Sequence, residues 1–456
     1  MTNTAFKRSA LLLLAVALPV WALGAQGEGE NLIVNLFVIL GIMLLAGKFS
    51  GELFERIGQP AVLGELIVGI LLGGSVLGII PTAPEHPLTE VVTIFAEIGV
   101  VVLLFEIGLE TDLKQMFRVG AGAFSVATVG VILPMVGGVL FWLAPFIPAS
   151  LSHSSPTTTA IFLGATLTAT SVGITARVLQ DLRLMHSVEA RLIIGAAVID
   201  DIMGIVLLGL VSSLVAGTAI SVLSVSRSVG IAIGFLVAAV GIGLLLAPKI
   251  FTLLDRMRVR GMLLVAAFAF LLFMGAAADK AGLAMIIGAF AAGLVLSGTN
   301  QFDTITSRIK PVADIFTPVF FLSIGAKFDV TLLNPTKPEN VTILLIGGAL
   351  FVIAVIGKVI AGWAVPWIKF NRPGVGIGMI PRGEVGLIFA NMGLMAGVVN
   401  TELFSAVVIM LMGTTFVAPP LLKWSFGKWG VTDSSGHHAP PAPAEHHAPP
   451  PAEDDG

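Results

Sequence analysis

Two adjacent aspartates, Asp200 and Asp201, lie in the middle of an apolar segment that reads LIIGAAVIDDIMGIV from residue 192. A segment of this kind is typical of a helix buried in a membrane, where an ionised carboxylate is so costly that it indicates function. A structural polar contact between packed helices is the alternative, but two adjacent acids are difficult to neutralise in that way. Neighbours on a helix point about 100° apart, so one carboxylate can face a protein partner while the other faces a cavity.

Lys358, within the apolar segment VIGKVIAG (355–362), is the predicted partner of this pair. Two carboxylates and one ammonium leave one negative charge uncompensated. A proton or a small cation must then occupy the second carboxylate, and the two compete for it. Competition for one site that is exposed to each side of a membrane in turn predicts antiport.

A third polar feature is the segment GATLTATSVGIT (164–175), where Thr, Ser and Gly crowd the middle of an apolar helix. This composition favours local unwinding. The freed carbonyls and the hydroxyls of Thr168, Thr170 and Ser171 would then supply hard oxygen ligands for Na⁺. The alternative is that these hydroxyls bond back to their own helix, as Ser and Thr commonly do in membranes.

The segment MIPRGEVG (379–386) carries Arg382 and Glu384. We predict that the two residues form a structural pair near the cytoplasmic end of their helix, in preference to direct ion binding. Other acids occur within or at the ends of apolar segments: Glu65, Glu97, Glu106 and Glu110. Glu106 and Glu110 are neighbours on a helix face, and either a cation funnel or an interfacial position would explain them.

The elements that position these residues follow from composition. Hydrophobic residues make up 56% of the 456 residues and charged residues 12%, a balance that indicates a membrane protein. Apolar runs of about 20 residues recur along the chain, each long enough to cross a bilayer as a helix. Cysteine is absent, which excludes disulfides, thiol redox chemistry and cysteine-based metal sites.

These runs predict an all-α polytopic membrane protein with about thirteen transmembrane helices. The distribution of Lys and Arg supports this count, because seventeen of them fall in loops on one side and only four on the other. The chain is therefore predicted to begin outside and to end inside. The predicted spans lie near 31–49, 60–80, 91–110, 119–146, 157–178, 188–216, 226–247, 260–278, 281–298, 311–326, 341–368, 374–398 and 402–425.

Thirteen spans predict two six-helix repeats of opposite orientation with one linking helix, the usual architecture of secondary transporters. Two terminal segments lie outside them. Residues 1–25 have the layout of a secretory signal, with Lys7 and Arg8 before an apolar stretch, and an uncleaved first helix is the alternative. Residues 433–456 are rich in His and Pro and are predicted to form a disordered cytoplasmic tail.

The joint pattern resembles the second family of monovalent cation:proton antiporters, and NapA-type sodium/proton antiporters most closely. The motifs that carry the resemblance are GQPAVLGE (58–65), FEIGLE (105–110), TATSVGITAR (168–177), VIDD (198–201), GK (357–358) and PRGEV (381–385). The resemblance covers roughly residues 31–425, the predicted transmembrane antiporter domain.

The resemblance implies a role for each site residue and a mechanism. Asp201 would carry the ion and the proton, and Asp200 would pair with Lys358. The spans with residues 157–178 and 374–398 would be crossed, broken helices of an NhaA/NapA-like fold. Core helices at about 119–216 and 341–425 would slide, like an elevator, against dimer-forming helices at about 31–110 and 260–326. An Asp-Asp pair with a lysine is the pattern of the electrogenic members.

We therefore expect a non-enzymatic antiporter of the bacterial inner membrane that exchanges Na⁺ or Li⁺ for H⁺. The expected partners are these ions, the lipid bilayer and a second copy of the chain, with no cofactor, nucleotide or nucleic acid. The alternatives are K⁺/H⁺ exchange and, less favoured, a sodium-coupled symporter. An aspartyl protease is disfavoured, because its two carboxyls share a proton about 3 Å apart, whereas adjacent helix residues diverge. Ion choice, stoichiometry and activation pH are left open.

Overall fold

The computed structural model describes residues 32–111, 116, 118–145, 154–215, 222–336, 338–432 and 438–439. These residues are almost entirely helical. In chain order the helices are α1 (Leu32–Arg56), α2 (Ala61–Leu72), α3 (Pro87–Glu110), α4 (Gly120–Trp142), α5 (Pro156–Thr166), α6 (Val172–Asp181), α7 (Val188–Val215), α8 (Val222–Asp255), α9 (Met262–Lys280), α10 (Met285–Leu296), α11 (Phe302–Ala326), α12 (Pro338–Ala361), α13 (Arg372–Gly378), α14 (Gly383–Met395) and α15 (Thr401–Trp429).

Eight helices of the described part are long and apolar enough to cross a membrane: α1, α3, α4, α8, α9, α11, α12 and α15. The predicted helical, polytopic fold is therefore confirmed, while the total of thirteen spans stays a prediction. Length and interruption explain four of the five other predicted spans, and the fifth corresponds to α7 (Val188–Val215). The helices α2 and α10 have 12 residues each, or roughly 18 Å at 1.5 Å per residue, and two other predicted spans are interrupted.

The second predicted span extends well beyond the helix that the structure shows. The second was predicted to reach residue 80, but α2 ends at Leu72, whose carbonyl oxygen accepts hydrogen bonds from the amides of Ile79 and Ile80 at 3.0 and 2.8 Å. The chain thus folds back over the end of the helix, which Gly73 and Gly74 follow directly. Apolar composition alone cannot distinguish such a turn from a further helical turn.

The helices pack in two groups. In the first, α3 packs against α10 and α11, and α2 packs against α1 and α11. In the second, α4 packs against α5, α7 and α12, and α12 packs against α15. The groups coincide with the two sets of segments assigned above to separate domains, whose roles in dimer formation and transport stay predictions.

Paired glycines bring the helices of the first group into contact. Gly69 on α2 faces Gly325 on α11, and a Cβ on either would overlap a backbone carbonyl oxygen of the facing helix. Gly108 on α3 and Gly293 on α10 form a second pair of the same kind. Only glycine permits such a close approach of two backbones.

The helices of the two glycine pairs also share short sequence patterns that sequence analysis did not detect. The helix α2 reads AVLGELIVGILL and α10 reads MIIGAFAAGLVL, with glycine at the fourth and ninth positions of both. Near the ends of α3 and α11, FEIGLE (105–110) matches LSIGAK (322–327). Aligning α2 with α10 and α3 with α11 therefore places the pair Gly69–Gly325 on the pair Gly293–Gly108.

The end of α15 is tied to the second group of helices. Glu189, fully buried at the start of α7, accepts hydrogen bonds from the amides of Asn371 at 2.8 Å and Thr432 at 3.0 Å. Val431–Thr432 then pairs with His438–Ala439 as a short antiparallel ladder. Apart from His438–Ala439, the predicted disordered tail (433–456) lies outside the described residues. The predicted signal segment (1–25) also lies outside them.

Candidate functional site

Two helices of the second group are interrupted, and their interruptions cross. The first break, residues 167–171, separates α5 from α6, and the second, residues 379–382, separates α13 from α14. The amide of Ser171 donates to the carbonyl oxygen of Pro381 at 2.7 Å. Thr170 donates through Oγ1 to Met379 at 3.4 Å, and Thr175 to Gly378 at 2.6 Å. Non-helical backbone is tolerated at membrane depth because such bonds satisfy it.

Local sequence signals explain where the two interrupted helices start and why their breaks can touch. Ser155 caps the start of α5 by accepting a hydrogen bond from the amide of Thr158 at 3.2 Å, and Pro156 follows. Asn371 caps α13 in the same way, accepting from Gly374 at 2.9 Å. At the second break, Gly383 has φ +44° and a Cβ there would collide with Ser171. Caps with a following proline start a helix, and a glycine allows the crossing chains to touch.

The three residues predicted as sodium ligands, Thr168, Thr170 and Ser171, all lie buried in the first break. The hydroxyl of Thr168 donates to the carbonyl oxygen of Ala165 at 2.7 Å, which is the local bonding that sequence analysis gave as the alternative. A hydroxyl that donates its proton keeps lone pairs for a cation. The break therefore still offers oxygen ligands, and their role in ion binding stays a prediction.

Asp200 and Lys358 lie together in the interior. The Nζ of Lys358 on α12 is 3.4 Å from Oδ2 of Asp200 on α7, and both side chains are almost fully buried. Gly130 on α4 lies beside the lysine, where a Cβ would be in ordinary van der Waals contact with the lysine Cδ at 3.5 Å. Burial of such a pair is tolerated only while both partners are present.

Asp201 is less buried than Asp200 although it is the next residue on α7. It lies close enough to Lys358 to interact with it electrostatically. One carboxylate therefore contacts the lysine in the interior while its neighbour keeps partial access to its surroundings, as helix geometry predicts. The arrangement can hold one cationic partner at Asp201 in addition to the ammonium of Lys358.

Arg382 differs from its predicted position near the cytoplasmic end of a helix. It is fully buried at the crossing of the breaks. Its Nη1 donates to the carbonyl oxygen of Ala169 at 2.6 Å, and its Nη2 donates to that of Ala354 at 3.3 Å. The guanidinium thus satisfies a carbonyl of the first break, at Ala169, and joins it to a carbonyl of α12, at Ala354. The side chain of Glu384 lies outside the described part, so the predicted pairing stays a prediction.

Comparison with known proteins identifies the family of the chain. Residues 39–428 match the family described as "Sodium/hydrogen exchanger, transmembrane". The chain is 38% identical over 443 residues to the high-affinity Na⁺/H⁺ antiporter NhaS3 of Synechocystis sp., an alignment that covers 90% of this chain and 95% of the relative. It is 36% identical over 404 residues to the Na⁺/H⁺-K⁺ antiporter GerN of Bacillus cereus, covering 86% and 97% of the two chains.

A solved structure supports the fold. The sodium proton antiporter MjNhaP1 of Methanocaldococcus jannaschii superposes with a TM-score of 0.58 at 18% identity, covering 87% of this chain and 97% of the other. The antiporter family predicted from the motifs is thereby confirmed, as is the prediction that the chain is not an enzyme. The protein is a multi-pass membrane cation/proton antiporter and belongs to the sodium/hydrogen exchanger family.

Proposed function

We propose that this antiporter exchanges Na⁺, or Li⁺, for H⁺ across the bacterial inner membrane, and that the exchange is electrogenic. The observation that carries the proposal is the buried Asp200–Lys358 pair, with 3.4 Å between Oδ2 and Nζ, directly beside the less buried Asp201. The pair leaves Asp201 as the carboxylate whose charge a mobile cation neutralises.

Proton and sodium compete for Asp201 because a protonated carboxyl no longer attracts a cation. Thr170 and Ser171, in the break that crosses α13 and α14, supply further oxygens around a dehydrated Na⁺. Lys358 can also release its proton when a cation approaches. A single sodium ion then exchanges for more than one proton, and the cycle moves net charge.

The proposed movement is elevator-like. Core helices α4–α7 and α12–α15 carry the site, and helices α1–α3 and α9–α11, here called the scaffold, stay in place and form the homodimer. The paired glycines between α2 and α11 and between α3 and α10 support a rigid scaffold. When α2 is aligned with α10 and α3 with α11, one glycine pair falls on the other, which supports thirteen spans in two inverted repeats. The proposed orientation, with the N-terminus outside and the C-terminus in the cytoplasm, is the one that the distribution of Lys and Arg predicts.

Potassium exchange is the second candidate. It is favoured by the similarity to GerN, which is described as acting on Na⁺ and K⁺. The same carboxylate would serve either ion, because the competition with the proton does not depend on cation size. The number and spacing of oxygens at the first break would decide between them.

The deciding experiment measures the dissipation of an imposed pH gradient in proteoliposomes after addition of Na⁺, Li⁺, K⁺ or choline. Each ion is tested with and without a clamped membrane potential. We expect Na⁺ and Li⁺ to dissipate the gradient at a rate that depends on the potential. Equal rates with K⁺ would favour the second candidate, and a rate independent of potential would contradict electrogenic exchange.

A further inference from the structure

The three residues that follow α15 turn back into the protein. The helix ends at Trp429, and Gly430 has φ +66°, a conformation that favours glycine. The next two residues, Val431 and Thr432, are 8% and 1% exposed. We call Gly430–Thr432 the strap. Burial of so short a segment directly after a long helix indicates that specific contacts hold it.

Glu189, the second residue of α7, binds the strap. Its two carboxylate oxygens accept hydrogen bonds from the amide of Thr432 at 3.1 and 3.0 Å, and Oε1 also accepts from the amide of Asn371 at 2.8 Å. A fully buried carboxylate is costly unless donors surround it, and the amino-terminal end of α7 favours its negative charge. One side chain thus joins the strap to the starts of α7 and α13.

Asn371 completes this connection from the other side. Its Nδ2 donates to the carbonyl oxygens of Ser425 at 3.2 Å and Gly430 at 3.0 Å. Its Oδ1 accepts from the amide of Gly374, which is the bond that caps α13. The base of α13 is therefore attached to the end of α15 through Asn371 and to α7 through Glu189.

The helix α13 leads from this connection to the transport site. It has seven residues and ends at the second break. A Cβ on Gly376 would overlap the carbonyl oxygen of Val359 on α12, the residue after Lys358. A Cβ on Gly378 would overlap the side chain of Ile193 on α7. The two helices that carry the buried ion pair therefore flank α13 closely.

Glycine contacts of this kind do little to fix the position of α13 along its own axis. They bring helices close together, but a surface without side chains does not interdigitate with the neighbouring helix. A helix of about two turns is also marginal by itself. The bonds at its base, from Asn371 to Glu189 and to the strap, therefore determine how far α13 extends toward the crossing of the breaks.

We propose that Glu189 and the strap position the second break for ion binding, so that Glu189 is a positioning residue of the exchange reaction. Glu189 lies roughly 18 Å along α7 from Asp201, at 1.5 Å per residue, and acts through α13. Its bonds to Thr432 and Asn371 hold α13 at the depth at which the second break meets Ser171. The inference rests on the proposed ion site at Asp201 and the first break, and it makes the affinity of that site depend on the strap.

The test removes the contact from each side in the full-length protein in proteoliposomes. Glu189→Gln replaces one acceptor oxygen by an amide donor, and Thr432→Pro removes the donating amide. Glu402→Gln, an exposed acid at the second position of α15, is the matched control for the first variant. Thr432→Ala keeps the amide and measures the contribution of the side chain. The KM and the maximal rate are measured for the cation that the wild-type protein exchanges, together with hydrogen exchange of the amides of α13.

We expect the KM to rise by about tenfold in Glu189→Gln and in Thr432→Pro, as for the loss of one or two buried hydrogen bonds. The maximal rate should change less, and amides of α13 should exchange faster. Glu402→Gln should resemble the wild type, and Thr432→Ala should lie closer to the wild type than to Thr432→Pro. The double variant Glu189→Gln/Thr432→Pro should resemble either single variant, because both remove the same contact.

An unchanged KM in Glu189→Gln would overturn the proposal, even with faster hydrogen exchange in α13, because the strap would then be a structural contact only. Equal effects of Glu189→Gln and Glu402→Gln, or additive effects in the double variant, would also overturn it. Failure of the proposed function is seen separately, as a wild-type protein that exchanges neither Na⁺ nor K⁺ for protons. The hydrogen exchange of α13 still tests the strap in that case, and equal rates in Glu189→Gln and the wild type would contradict it.

Discussion

Lys358 and Asp200 join α12 to α7 through a buried ion pair, with 3.4 Å between Nζ and Oδ2. The next residue, Asp201, is more exposed. The two adjacent carboxylates thus have different surroundings, and they should respond differently when each is made neutral.

The substitution Asp201→Asn should abolish ion-dependent dissipation of a pH gradient, because an amide neither takes up a proton nor neutralises a cation. Asp200→Asn should leave partial exchange with a weaker dependence on membrane potential, since Asp201 is still present. Both variants are measured in proteoliposomes at matched protein content. Full exchange by Asp201→Asn would exclude it as the carrier.

Removing one partner of the buried pair should destabilise the protein. Lys358→Met leaves Asp200 buried without its counter-charge, which costs about 3–5 kcal/mol in comparable pairs. Thermal unfolding in detergent should therefore show a clear fall in Tm for Lys358→Met. The double variant with Asp200→Asn should recover most of the loss, because no uncompensated charge stays buried. An equal or larger loss in the double variant would contradict a direct charge pair.

Thr170 offers a test of the sodium ligands. Thr170→Ala removes the hydroxyl that contacts Met379 across the breaks. We expect the KM for Na⁺ to rise by roughly tenfold, the equivalent of about 1.4 kcal/mol, with a smaller change in the maximal rate. The matched control is Thr166→Ala, whose hydroxyl bonds only within α5, to Phe162 at 2.9 Å. Equal effects of the two variants would indicate a general packing defect.

Gly108 tests the rigid scaffold. A Cβ at this position would overlap the carbonyl oxygen of Phe290 on α10, so Gly108→Ala should push α3 from α10 and cost about 1–3 kcal/mol. Gly41→Ala on α1 is the control, since a Cβ there has no atom within 4 Å. The comparison is made by thermal unfolding. A stability of Gly108→Ala equal to that of the control would show that the helices can separate freely.

Much of the site could be predicted from sequence because membranes make polar residues conspicuous. Asp200, Asp201 and Lys358 stand out in apolar segments, and the polar run at Thr168–Ser171 marked the first break. The position of Arg382 could not be predicted in this way. Its partners are the carbonyl oxygens of Ala169 and Ala354, and backbone acceptors leave no trace in side-chain composition.

The shared glycine spacing of α2 and α10 was hidden for a related reason. Apart from the glycines, α2 and α10 share few identities, because many apolar side chains can fill the same volume between helices. Glycine at a backbone contact cannot be exchanged in this way. The shared spacing therefore becomes visible only when the starts of α2 and α10 are known, which apolar composition does not define.

The crossing of the two breaks also brings together four helix ends. The amino-terminal ends of α6 and α14 and the carboxy-terminal ends of α5 and α13 meet around the contact between Ser171 and Pro381. Each end carries roughly half an elementary charge, positive at the amino terminus and negative at the carboxy terminus. Two of each sign nearly cancel, so the backbone contributes little net field at the site. The charge that a passing ion meets is then set by the side chains of Asp201 and its neighbours, so their protonation decides whether a cation is held or released.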